Sequence, residues 1–107
     1  MPTNTTLSYR ILGPSAELPD NYVNPYYLED LRHRVAVARI TGKLFAFDDL
    51  YRDCPLSAGL LTGTTIMSQG DGSQFDVTSG AVLRGPATAR LATYEVRETS
   101  GQIEVRI

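Results

Sequence analysis

The 107 residues include one cysteine, Cys54, and one histidine, His33. A single thiol excludes an internal disulfide framework and suits a reducing compartment, so a cytoplasmic location is expected. No apolar run approaches the length of about 18 residues that a membrane helix needs. The opening "MPTNTTLSYRILG" has no basic stretch followed by an apolar one, so no signal peptide is expected. The sequon at Asn4-Thr5-Thr6 would matter only in a secretory pathway, which nothing else in the chain supports. Charge of one sign is also scarce, with ten basic and twelve acidic residues giving a net charge of −2. The cations Arg32, Arg34, Arg39, Lys43, Arg52, Arg84, Arg90, Arg97 and Arg106 are scattered, which excludes a phosphate-tracking stripe and argues against nucleic acid and anionic membranes as partners. Gly59, Gly63, Gly70 and Gly72 lead into no helix bearing a Lys-Ser/Thr pair, so they read as turn residues and not as a phosphate cradle.

What the sequence does have is strand signal. "RVAVARI" (34–40) sets Val35 and Val37 against Ala36 and Ala38 on opposite faces, and "KLFAFDD" returns after Thr41-Gly42, a two-residue hairpin connection. "ATYEVRE" and "QIEVRI" repeat the design around Thr99-Ser100-Gly101, with Tyr94 and Val96 meeting Ile103, Val105 and Ile107. A third hairpin is expected in "FDVTSGAVL", turning at Thr78-Ser79-Gly80, and "TLSYRIL" reads as one more strand. The stretches "LGPSAELPDNYVNP" and "DDLYRDCPLSAGLLTG" read as loops, and "YYLEDL" is the one helical candidate, too short to stand alone. Short strands with frequent turns predict a single all-β domain, an antiparallel sandwich or barrel.

From Val35 onward the chain resembles the Rieske-type [2Fe-2S] ferredoxin family. The residues that carry the likeness are "FAFDD" (45–49), "CPLSAG" (54–59), "GSQFDVTSGAVLRGPA" (72–87) and "LATYEVR". The resemblance implies an antiparallel β base, 1–47 and 84–107, with a smaller two-loop lobe over about 48–83 that in the family holds the cluster. The family's site is C-x-H, about sixteen residues, then C-x-x-H, because soft thiolates hold one iron and neutral imidazoles the other. Sixteen residues separate Tyr51 from Ser68, which places Asp49 and Tyr51 at the first cysteine and histidine, and Ser68 and Asp71 at the second pair. Anchoring on "FAFDD" instead places Tyr51 at the first cysteine, with a first loop about two residues shorter. In either register a thiolate and an imidazole are missing from each loop. Cys54 matches a flanking cysteine that some members carry, and His33 lies far from the loops in the family layout.

The frame is kept while every ligand is replaced, which points to selective removal of the cofactor, by engineering or by adoption of the fold as a non-redox module. The expectation is a cluster-free, non-enzymatic monomer, a scaffold or binding module with no cofactor and no metal. Its possible protein-contact loops are Asp48, Asp49, Leu50, Tyr51 and Arg52 on one side and Ser68, Gln69, Gly70 and Asp71 on the other. The alternative is a ferredoxin that keeps an electron-transfer role through unusual ligands. The lone His33, between two arginines, reads as solvated surface, and Cys54, with no base beside it, as a partly buried structural thiol. The carboxylates Asp48, Asp49, Asp53 and Asp71 would hold a hard cation such as Ca²⁺ only if both loops brought them together; as turn residues they are explained by local hydrogen bonds. Tyr22, Tyr26 and Tyr27, beside Pro25, are expected to cover a sheet edge or cap the core.

Overall fold

The computed structural model describes residues 8–107. Its larger element is a six-stranded antiparallel sheet in the order β1 (Tyr9–Pro14), β12 (Gln102–Arg106), β11 (Thr93–Thr99), β4 (Lys43–Asp48), β3 (His33–Ile40), β2 (Tyr22–Leu28). Two of its hairpins turn where glycine allows a left-handed backbone: Thr41-Gly42 at φ 47° and 84°, and Ser100-Gly101 at φ 52° and 77°. Positive φ at both turn residues matches the right-handed twist of the flanking strands. Thr6 and Leu7 of the expected first strand lie outside the described residues.

A smaller four-stranded sheet runs β10 (Val82–Arg84), β9 (Gln74–Asp76), β8 (Thr65–Met67), β7 (Leu60–Thr62). Beside it stands the two-residue hairpin β5 (Leu50–Tyr51) and β6 (Cys54–Pro55), followed by a 3-10 turn at Leu56–Ala58. The hairpin expected in 75–83 forms between β9 and β10, held by Asp76, whose carboxylate accepts from the Thr78 backbone N–H at 2.9 Å.

Period-2 geometry lets β3 serve two cores. Val35 and Val37, with Ala46 of β4, face Leu18, Leu28, Ile103 and Val105 in the base. Tyr94, Val96 and Ile107 pack against that cluster, as the alternation of β11 and β12 predicts. Ala36, Ala38 and Phe47 face the other way, against Leu56, Ile66, Phe75 and Val77 of the smaller lobe. The small alanine side chains make room for Phe47 and Phe75, both almost fully buried.

The structure departs from the sequence expectations at three places. The helical candidate at 26–31 is the end of β2, closed by a single turn in which the Leu31 N–H reaches the Leu28 carbonyl at 3.2 Å. Its Leu28 is buried and Tyr26 half-buried, with Tyr27 exposed between them, the alternation of a strand. The stretch around Pro25, read as loop, is the same edge strand; an edge position leaves one side of the backbone without ladder bonds, which is where a proline fits. The stretch 48–63, also read as loop, contains β5, β6 and β7. Of the tyrosines, Tyr26 packs against the base core, whereas Tyr22 and Tyr27 stand exposed on the edge strand.

Candidate functional site

The β5–β6 hairpin brings the first loop up to the second. Its turn residues, Arg52 and Asp53, both have left-handed backbones, φ 50° and 64°, without a glycine. The second loop, between β8 and β9, folds back on Ser68: the Gly72 N–H donates to the Ser68 carbonyl at 3.0 Å and the Gly70 N–H to its hydroxyl at 3.1 Å. Between the loops lies an open cleft of about 220 Å³ lined by Tyr51, Arg52, Cys54, Ser68, Gly70 and Asp71.

Direct contacts cross that cleft. The Tyr51 hydroxyl donates to the Asp71 carboxylate at 2.9 Å and lies 3.2 Å from the Ser73 hydroxyl. Ser73 is buried and accepts from the Ala87 N–H at 3.0 Å, which draws in the Gly85-Pro86-Ala87 segment, where the Gly85–Pro86 peptide is cis. The other Asp71 oxygen accepts from the Ser73 N–H at 2.9 Å, and Arg52 approaches the same carboxylate at 3.8 Å. The backbone N–H of Ser73 is the largest influence holding the Asp71 carboxyl below the usual carboxylate range; partial burial opposes it, and Tyr51, the Ser73 hydroxyl and Arg52 reinforce it. Cys54 is half-buried, and its sulfur lies so close to Gly70 that a Cβ there would come within 2.8 Å.

Tyr51, Ser68 and Asp71 therefore line one cleft, and Asp49 does not. Asp49 is fully buried beneath the first loop, where its carboxylate accepts from the Ser57 N–H at 2.7 Å and the Ser57 hydroxyl at 3.1 Å and pairs with Arg34. Leu50 and Arg52 are exposed on the first loop and Gln69 and Gly70 on the second.

Asp48 belongs to a different cluster. Its Oδ1 lies 2.6 Å from His33 Nε2 and accepts from the Tyr94 hydroxyl at 2.5 Å. His33 is thus no freely solvated surface residue: it closes one end of the base core, edge-on to Tyr94. Burial first, and then the hydrogen bond and charge of Asp48, push the Tyr94 hydroxyl pKa well above its ordinary value. The carboxylates of Asp48, Asp49 and Asp71 each have separate partners, and among the described residues no three Asp, Glu, His or Cys side chains meet in a way that would hold a metal ion.

The donor set also bears on the cluster that the resemblance implies. Two thiolates and two imidazoles are required, and the whole chain has one of each. The cleft offers one thiol, a phenol and a serine hydroxyl, together with a carboxylate already bound by Tyr51 and Ser73. The residues present do not fit a [2Fe-2S] cluster. Ser73 and the Ala87 N–H, which complete the cross-loop bonds, were not singled out in the sequence as site residues. Their only signal was their place in the retained "GSQFD" and "GPA" segments.

No protein-family model and no curated protein sequence matches the chain. Solved structures do. The Sphingomonas yanoikuyae B1 ferredoxin superposes with a TM-score of 0.85 at 25% identity, covering 94% of this chain and 99% of that one. A chain from the complex of reduced oxygenase and oxidized ferredoxin in carbazole 1,9a-dioxygenase gives 0.83 at 22% identity, over 92% of both chains. The ferredoxin of carbazole 1,9a-dioxygenase from Nocardioides aromaticivorans IC177 gives 0.84 at 18% identity, over 92% of this chain and 97% of that one. Among the described residues no helix is long and apolar enough to cross a membrane. The chain has the fold of the Rieske-type ferredoxins.

Proposed function

We propose that this protein is a cluster-free Rieske-fold module, derived from an electron-transfer ferredoxin and used for binding, with no enzymatic activity of its own. The observation that carries the proposal is the composition of the loop cleft. Tyr51, Ser68 and Asp71 stand where the resemblance places cluster ligands, and two of the three are bonded to each other across the loops. An oxygen-donor set of this kind is hard and suits an Fe–S cluster poorly. The protein partner would meet the two loops, where Leu50, Arg52, Asp53, Gln69 and Gly70 are exposed. The similar complex of an oxygenase with a ferredoxin makes a protein surface the favoured class of partner.

The competing possibility is a ferredoxin that assembles a cluster on unusual ligands, or with cysteines from a second chain. Anaerobic reconstitution with iron and sulfide separates the two. The module is expected to stay colourless, EPR-silent and monomeric. A reconstituted protein with a stoichiometric cluster signal would overturn the proposal, whether it ran as a monomer or a dimer.

A further inference from the structure

Resting on that cluster-free reading, we propose that a side-chain tie has taken over the mechanical task of a cluster, holding the two loops and the 85–87 segment in one fixed arrangement. In a cluster-bearing protein of this fold the metal group links the loops covalently, and binding of that group is part of folding. Here the link is a continuous hydrogen-bonded path. It runs from the Asp71 carboxylate to the Tyr51 hydroxyl at 2.9 Å, on to the Ser73 hydroxyl at 3.2 Å, and from there to the Ala87 N–H at 3.0 Å.

Each member is placed for that role. The Tyr51 ring stands edge-on to Phe75, 5.2 Å between centroids, so its hydroxyl is aimed from the lobe core. The Arg52 guanidinium lies 5.5 Å from the same ring and 3.8 Å from Asp71, closing the outer side. Asp71 also accepts from the Ser73 N–H, so both ends of the 71–73 turn are bound. The Cys54 sulfur against Gly70 adds a close contact between the loops, one that a side chain at position 70 would have to displace. The path links three segments separated along the chain, which local turn-making does not require. Its consequence is a contact surface whose shape depends on Tyr51 and not on iron.

Amide hydrogen exchange on the full chain, read by NMR, tests this. In Tyr51→Phe, which keeps the ring and its packing, exchange at Gly72, Ser73 and Ala87 is expected to speed up by about tenfold or more. Amides of β3 and β4 should be unchanged, and the exposed-edge control Tyr27→Phe should leave the loops as they are. Asp71→Asn retains a carbonyl acceptor and should fall between wild type and Tyr51→Phe. An iron chelator should change nothing. Iron-free protein in which Tyr51→Phe leaves loop exchange unaltered overturns the tie alone. Loss of loop protection on chelation, with iron and sulfide released, overturns the cluster-free reading as well.

Discussion

Replacing Asp49 with alanine tests how the lobe is anchored to the base. The carboxylate has no solvent exposure, and it accepts from the Ser57 N–H, the Ser57 hydroxyl and Arg34. Removing it leaves the Ser57 N–H and one face of the Arg34 guanidinium without partners. Breaking a buried pair by deleting one member costs about 3–5 kcal/mol. The Arg34 side chain is 37% exposed, so water can reach it, and the lower end of that range, about 3 kcal/mol, applies. For a domain of this size that corresponds to a fall in Tm of about 12 °C or more. Urea unfolding followed by circular dichroism should show a lower midpoint with an unchanged slope. In the double variant Arg34→Ala/Asp49→Ala the two losses should be strongly non-additive, because the second change removes a group the first has already left unpaired. An Asp49→Ala protein within about 0.5 kcal/mol of wild type, the range of ordinary surface substitutions, would refute this account of the buried pair.

Asp71 and Tyr94 give pH predictions of opposite sense. Asp71 has a folded pKa below the ordinary carboxyl value of 3.8, so its contribution is complete above the unfolded value and is lost as pH falls below about 4. Acid titration of stability should therefore be shallower in Asp71→Asn than in wild type, and an identical profile would contradict the assignment. Tyr94 has a raised folded pKa, so its contribution is complete below pH 10, the ordinary value for a tyrosine, and is lost as pH rises beyond that. Absorbance titration of the phenolates should show one tyrosine ionising last and only with unfolding. That late step should be missing in Tyr94→Phe.

The parts of this fold governed by neighbours in sequence were legible in advance. Thr41-Gly42 and Ser100-Gly101 announce their hairpins because glycine is the usual residue at that left-handed position. The Arg52-Asp53 turn adopts the same backbone without glycine, so the β5–β6 hairpin carries no such signal in the sequence. Edge strand β2 was hidden by Pro25, which opposes a strand assignment when its place in the sheet is unknown. The candidate site was legible as a set of positions and less so as a set of contacts. Tyr51, Ser68 and Asp71 could be reached by counting, whereas Asp49 required knowing that Arg34 would lie beside it after β3 and β4 had paired. His33 shows the same limit: its partners Asp48 and Tyr94 come from β4 and β11, and only the sheet order brings them together. Ser73 resembled any turn serine until its bonds to Tyr51 and Ala87 were visible.

In the function proposed above, side chains join the loops where the family resemblance implies a metal cluster. Iron and acid-labile sulfide analysis of the protein as purified, alongside its visible absorption spectrum, tests that claim most directly. A colourless protein with neither element in stoichiometric amount is expected. Iron and sulfide in a matched ratio, with the visible bands of a [2Fe-2S] centre, would contradict it.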